Sequence, residues 1–102
     1  MTVEVRLRPE AEQDLADAAT WYEEQRAGLG LEFLHEAQVV LSSIAERPLS
    51  YPLVHRESRR ALVRRFPFGV FYRVELSQVV VIGILHGSRD PELWKGRLAS
   101  DN

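Results

Sequence analysis

The sequence predicts an α+β fold in which an N-terminal strand and a helix hairpin pack on a mainly antiparallel sheet. Apolar residues alternate with polar ones near the N-terminus and again between residues 59 and 75, and they recur at helical spacing between residues 9 and 46. The connection between the two helical stretches is short, which favours an antiparallel helix pair. Residues 1–98 are therefore predicted to form a single domain, followed by a flexible tail over residues 99–102.

The first predicted elements are a strand over residues 3–7 and a helix over residues 9–26. Valine and leucine residues alternate with charged residues in the first segment, which is the pattern of a strand with one buried face. Pro9 suits the first turn of a helix, because a backbone N–H at that position would have no hydrogen-bond partner within the helix. The acidic residues that follow Pro9 lie near the positive end of the helix dipole, which stabilises the helix.

A second helix is predicted after a turn at Gly28 and Gly30. It ends before Pro48, because a residue that precedes proline disfavours the helical region. Residues 47–58 contain two prolines and no clean period, so they are predicted to form an irregular connection. The apolar residues that give the second helix its period are Phe33, Ala37, Val40, Leu41 and Ile44.

Three further strands and a closing helical turn complete the predicted fold. The strands span residues 59–66, 68–75 and 79–85. The last strand is apolar on both faces, which is typical of a central strand. Gly83 has no side chain there, which suits close packing by a helix. Pro91 begins the segment PELWKGR, which is long enough for one helical turn.

The composition excludes several classes of protein. The 102 residues include no cysteine, so disulfides and thiolate metal sites are excluded. No apolar run reaches the roughly 20 residues that cross a bilayer, and the N-terminal segment is charged too early for a secretory signal. Three scattered histidines lack metal-ligand spacing, and no phosphate-binding loop is present. We therefore expect a cytoplasmic protein with no membrane segment, metal or cofactor.

The charge is unevenly distributed along the chain. Residues 1–53 carry four arginines against ten acidic residues, whereas residues 54–102 carry nine basic residues against five acidic ones. Such a division favours the binding of anionic partners on one face, although acidic residues also coat the solvent faces of helices. Four arginines form the densest basic patch of the sequence, and they either contact phosphate or an acidic protein surface or protect an edge strand against aggregation. They are Arg59, Arg60, Arg64 and Arg65.

The segment after the last strand carries further candidate residues. His86 ends that strand, and a histidine there could transfer protons, but no second catalytic residue accompanies it. Arg89 either stabilises phosphate charge in a nuclease or forms a pair with Asp90 that ties down the segment locally. Trp94 either packs against the sheet or fills a pocket on a partner.

Three segments carry a resemblance to a known family: RxFPFxVFYRV, VVVIGILHG and SRDPELWKGR. Together with the opening strand and the helix hairpin, they resemble toxins of the RelE/ParE superfamily of type II toxin–antitoxin modules. The resemblance covers nearly the whole chain, and the His-Gly-Ser-Arg-Asp-Pro sequence is more similar to the ParE branch. It implies a toxin that binds DNA gyrase and traps it on cleaved DNA. It also implies a cognate antitoxin, ParD-like or similar, that forms a hetero-oligomer with the toxin. The candidate residues for binding the antitoxin or the target are the four arginines, Arg89 and Trp94.

Two alternatives remain open at this point. RelE-like toxins are implied to be ribosome-dependent mRNA endonucleases that use an Arg/Lys cluster and a tyrosine near the C-terminus. This chain has Trp94 near the position of that tyrosine and Gly69 near that of a catalytic arginine, so both departures count against a nuclease. In a nuclease, the candidate residues would be Arg65, Arg73, His86 and Arg89. The second alternative is a chain that has lost toxicity and only binds its antitoxin.

Overall fold

The computed structural model describes residues 2–87 and 91–99. It confirms the predicted α+β fold, with three helices packed on a five-stranded sheet. The elements follow one another in the order β1 (Glu4–Leu7), α1 (Pro9–Gln25), α2 (Leu29–Glu46), β2 (Leu53–His55), β3 (Ser58–Leu62), β4 (Phe68–Glu75), β5 (Gln78–His86) and α3 (Pro91–Ala99).

The sheet is mixed, with the strand order β1-β5-β4-β3-β2. β1 pairs parallel with β5, and the other neighbouring strands pair antiparallel. The helix pair returns the chain from the end of β1 to its start, where the Val3 N–H donates to the Ala45 carbonyl at 3.0 Å, and β2, β3 and β4 follow before β5. No helix in the described part of the chain is both long enough and apolar enough to cross a membrane.

The α1–α2 hairpin covers one face of the sheet, which we call the hairpin face. The hydrophobic core between the hairpin and the sheet contains a cluster of aromatic rings. The centroid of the Phe33 ring lies 5.2 Å from those of Phe66 and Phe68. The helices approach closely at Gly30, where an added Cβ would lie 2.6 Å from the Ala19 carbonyl oxygen. The buried residues of the core on the hairpin face are Ala11, Ala18, Tyr22, Phe33, Val40, Ile44, Ala61, Val63, Phe66, Val70, Tyr72, Val79, Val81 and Ile84.

The opposite face of the sheet, which we call the α3 face, packs against the short helix α3. Its core is small and consists of Phe71, Ile82, Trp94 and Leu98. The pairing register of β4 and β5 shifts beside Phe71, so that β5 carries one extra residue there. This bulge turns β5 locally and directs Ile82 towards α3.

Several predicted boundaries were wrong. The connection over residues 47–58 contains the short strand β2, which exists because it pairs with β3. The strand predicted over residues 59–66 ends at Leu62, since Arg65 has a φ of 73° and turns the chain towards β4. The closing segment forms a longer helix than one turn, which includes Ala99, and residues 100–102 lie outside the described part of the chain.

Candidate functional site

Trp94 anchors α3 to the sheet. Only 6% of its surface is exposed, and its ring centroid lies 5.1 Å from that of Phe71. The Arg60 guanidinium also contacts the Trp94 ring, 5.7 Å from the ring centroid, in a cation–π contact. Leu93 of the same helix is a large apolar side chain that is 76% exposed. Trp94 is therefore mainly a packing residue in this structure.

A charge pair that sequence reasoning missed joins α3 to α1. The Arg97 guanidinium donates to both carboxylate oxygens of Asp14, at 2.8 and 2.9 Å. Asp14 also accepts the Ile84 backbone N–H at 3.1 Å, and Arg97 donates to the Ile82 carbonyl at 3.3 Å. The pair thus bonds backbone groups of β5 beyond the point where β1 ends. No local pattern could have revealed it, because the two residues are 83 positions apart.

The four clustered arginines do not form a single patch. Arg59 points to the hairpin face, where it donates to the Tyr51 carbonyl at 2.6 Å and the Leu49 carbonyl at 3.3 Å. Arg60 points to the α3 face, because neighbouring residues of a strand alternate between faces. Arg64 lies in the loop between β3 and β4, and its side chain is exposed.

Arg65 connects the loop between β3 and β4 to α2. Its guanidinium lies 2.7 Å from a carboxylate oxygen of Glu32 and 3.8 Å from one of Glu36. The hydrogen bond from Arg65 holds the pKa of the Glu32 carboxyl below its usual value. About half of the Arg65 side chain remains exposed, so it is both a structural residue and an accessible one.

The candidate nuclease residues do not converge. Arg73 and His86 lie at opposite ends of the β4–β5 pair, because Arg73 pairs with Val80 and His86 pairs with Phe68. Five residues of a strand separate these positions by about 17 Å. Arg65 lies in the loop that reaches α2. Arg89 lies outside the described residues.

Arg73 is held by its neighbour Glu75, whose carboxylate lies 3.0 Å from the guanidinium. Hydrogen bonds from Arg73 and Gln78 lower the pKa of the Glu75 carboxyl. Arg6 and Arg8 line the same small cleft, of about 90 Å³, beside Arg73 on the α3 face. The cleft therefore brings three arginine side chains together.

The phenols of the chain all lie on the hairpin face or in its core. The Tyr72 hydroxyl donates to the Pro48 carbonyl at 2.6 Å, and burial raises its pKa to about 12. The Tyr51 and Ser43 hydroxyls lie 2.6 Å apart. Burial also raises the pKa of Tyr22. The sequence has three tyrosines, so the α3 face has no phenol that could transfer a proton.

His86 is exposed at the end of β5, and its ring lies 5.5 Å from that of Phe68. It borders a shallow pocket of about 290 Å³ that is also lined by Asp14 and Asp17. Among residues 2–87 and 91–99, no group of three or more His, Cys, Asp or Glu side chains is placed to hold a metal ion.

A family model described as "ParE toxin of type II toxin-antitoxin system, parDE" matches residues 5–91. The matched region includes both helices of the hairpin and all of the sheet except the first residue of β1. A search of curated protein sequences gave no significant match.

Solved structures with the same fold come from several bacteria. A chain of the chromosomal ParDE system from P. aeruginosa is 15% identical with a TM-score of 0.75, and the match covers 83% of this chain and 96% of that one. A mutant of the E. coli toxin RelE in the free state is 14% identical with a TM-score of 0.69, covering 100% of both chains. A chain of the RelBE2 toxin–antitoxin complex from Mycobacterium tuberculosis is 18% identical with a TM-score of 0.58, covering 87% and 95%. At these identities the likeness shows the fold.

Proposed function

This chain belongs to the ParE toxin family of type II toxin–antitoxin systems, and from that membership we propose that it inhibits DNA gyrase by protein–protein binding. The family match over residues 5–91 is the observation that carries the proposal. In the ParE branch, inhibition is expected to trap gyrase on cleaved DNA and so to stop growth. The proposed target places the action of the protein in the cytoplasm.

The arrangement of the α3 face supports a binding function over a nuclease function. Hydrolysis of RNA needs an acid and a base within hydrogen-bond reach of one phosphate. Arg73 and His86 are about 17 Å apart along the strands, and the tyrosine hydroxyls lie on the other face of the sheet. Binding to gyrase requires a surface and no convergent proton-transfer groups.

We further propose that a cognate antitoxin neutralises the toxin by forming a complex with it. Two of the similar solved structures are described as a toxin–antitoxin system and a toxin–antitoxin complex. Arg64 and Arg65 are the exposed members of the four candidate arginines. Because Arg65 is paired with Glu32 and Glu36, we expect Arg64 to contribute most to binding an acidic partner surface. Arg65 and Arg60 contribute through their exposed portions, whereas Arg59 is held by backbone carbonyls and mainly fixes the loop before β2.

The test is a supercoiling assay with purified toxin, gyrase, ATP and relaxed plasmid. The proposal predicts loss of supercoiling that is restored when the antitoxin is added. Trp94→Ala, a variant expected to unfold α3, is the negative control. It should leave supercoiling unaffected, which shows that a contaminant of the toxin preparation does not cause the inhibition. Unaffected supercoiling by toxin that is folded by circular dichroism would refute the proposal.

One observation favours a second candidate function, a ribosome-dependent mRNA endonuclease. The cleft on the α3 face gathers Arg6, Arg8 and Arg73, which could bind phosphates. This function predicts transcript cleavage during translation that Arg73→Ala reduces and that Arg64→Ala, on the exposed loop, does not. Intact transcripts with a folded toxin would exclude it.

A further inference from the structure

The outer edge of β1 is open for pairing with another strand. β1 is the first strand of the sheet, and within the described ranges β5 is its single neighbour. The Arg8 N–H donates to the Val81 carbonyl at 3.0 Å, so the even-numbered residues turn their backbone groups towards β5. Val5 and Leu7 therefore present their N–H and C=O groups outwards. Such a row of unpaired groups is a template for an added strand.

An apolar groove of about 280 Å³ runs beside this edge on the hairpin face. The apolar side chains of β1 are only half buried there. β1 pairs with β5 without a register shift and contains no proline, so neither device protects its edge. An added strand would therefore place apolar side chains in the groove and polar side chains on the α3 face. The groove is lined by Val3, Val5, Leu7, Gln38, Leu41, Ser42 and Ala45.

The sequence of β1 complements itself when two copies pair antiparallel about Val5. In this register Glu4 of each copy lies opposite Arg6 of the other, and Val3 lies opposite Leu7. Opposite charges then meet on one face and apolar side chains on the other, which is the arrangement that stabilises cross-strand pairs. A twofold axis at Arg6 would place the two Arg6 side chains opposite each other, which disfavours that register.

The backbone groups fit the same register. Each Val5 would exchange both of its outward hydrogen bonds with Val5 of the second copy. Each Leu7 N–H would donate to the Val3 carbonyl of the second copy. The Val3 N–H already donates to the Ala45 carbonyl at 3.0 Å, so it does not pair with the second copy, and the exchange at Val5 is the centre of the backbone contact.

We propose that this edge is a dimerisation surface at which β1 pairs with β1 of a second copy, forming one continuous sheet across a twofold axis. The proposal goes beyond gyrase inhibition and does not depend on it. The contact is small, so the dimer forms and dissociates with concentration. Because the groove would be covered in the dimer, an antitoxin strand that uses the same edge would compete with it.

The first experiment measures the mass of the full chain by sedimentation velocity over a concentration series in the micromolar range. Wild-type protein should shift from monomer to dimer as the concentration rises. Glu4→Arg and Arg6→Glu should each weaken the dimer about tenfold, because each places like charges opposite each other in both symmetry-related pairs. An equal mixture of the two single variants should restore association, since introduced arginines then face acidic side chains.

Val5→Pro gives an independent test of the backbone contacts. It removes the outward N–H of Val5 and leaves the groups that bond β5 in place, as proline is tolerated on an edge strand. The variant should be monomeric, with the far-UV circular dichroism spectrum of the wild type. If this variant fails to fold, the charge-reversal mixture still decides the matter.

Three outcomes would overturn the proposal. The first is a wild-type chain that stays monomeric at every concentration. The second is a dimer that neither the charge reversals nor Val5→Pro weaken, which would place the contact on another face. The third is a monomer whose Val5 and Leu7 amides become protected from hydrogen exchange only when antitoxin is added. None of these outcomes affects the supercoiling assay.

Discussion

The charge pair between Asp14 and Arg97 should account for much of the attachment of α3 and for a large share of the stability of the fold. Their side chains are 15% and 29% exposed, and together they bond the Ile82 carbonyl and the Ile84 N–H. Asp14→Ala removes the partner of the Ile84 N–H and of the guanidinium. An unsatisfied polar group costs about 1–3 kcal/mol, and the lost charged hydrogen bonds raise the expected loss to about 2–4 kcal/mol.

The loss is large enough to measure by thermal unfolding. In a domain of this size 1 kcal/mol lowers Tm by about 4–8 °C, so a loss of about 2–4 kcal/mol in Asp14→Ala should lower Tm by about 8–32 °C. Asp17→Ala is the matched control, because Asp17 lies one turn further along α1, is exposed and accepts a hydrogen bond from the neighbouring Gln13 side chain. The control should change the free energy of unfolding by less than about 0.5 kcal/mol.

A double-mutant cycle separates the pair from its surroundings. Urea unfolding of Asp14→Ala, Arg97→Met and the double variant should give a coupling energy above about 1 kcal/mol. Additive effects, or a loss for Asp14→Ala no larger than that for Asp17→Ala, would refute the inference that this pair anchors α3.

Three further predictions concern other parts of the fold. Trp94→Ala should destabilise the protein by about 3–5 kcal/mol in urea unfolding, because it empties the core beneath α3; a loss below about 1 kcal/mol would contradict this packing role. Gly30→Ala should cost about 1–3 kcal/mol by overpacking the helix pair, whereas Gly96→Ala, with open space around it, should stabilise α3 by about 0.5–1 kcal/mol. The folded-state pKa of Glu32 is lowered mainly by its hydrogen bond from Arg65, so its contribution is present above the unfolded pKa and is lost as the pH falls through the lower folded value. Between neutral and acidic pH, the urea midpoint of Glu32→Gln should therefore fall less than that of the wild type. An equal fall of the midpoint in both proteins would contradict this.

The elements with a clear local period could be predicted from the sequence. β4 has the bounds that were predicted for it, since alternate apolar residues along Phe68–Glu75 define its two faces. The helix hairpin was predicted for the same reason, although α2 begins earlier, at Leu29. Gly28 makes this earlier start possible, because its φ of 90° suits the turn between the helices.

The features that depend on distant contacts could not be predicted. β2 has three residues and no period of its own, so its existence rests on pairing with β3. The four candidate arginines are close in sequence, but strand alternation separates Arg59 from Arg60 and the positive φ of Arg65 directs that residue to α2. The sequence shows the presence of these charges, whereas their partners depend on the tertiary fold.

The proposed action on gyrase is tested by looking for gyrase that is trapped on broken DNA. Purified toxin is incubated with gyrase, ATP and plasmid, and the DNA is examined with and without protein denaturation. If the toxin traps gyrase, linear DNA should appear only after denaturation, increase with the toxin concentration and disappear when antitoxin is added first. Plasmid that stays intact and normally supercoiled in the presence of folded toxin would contradict it.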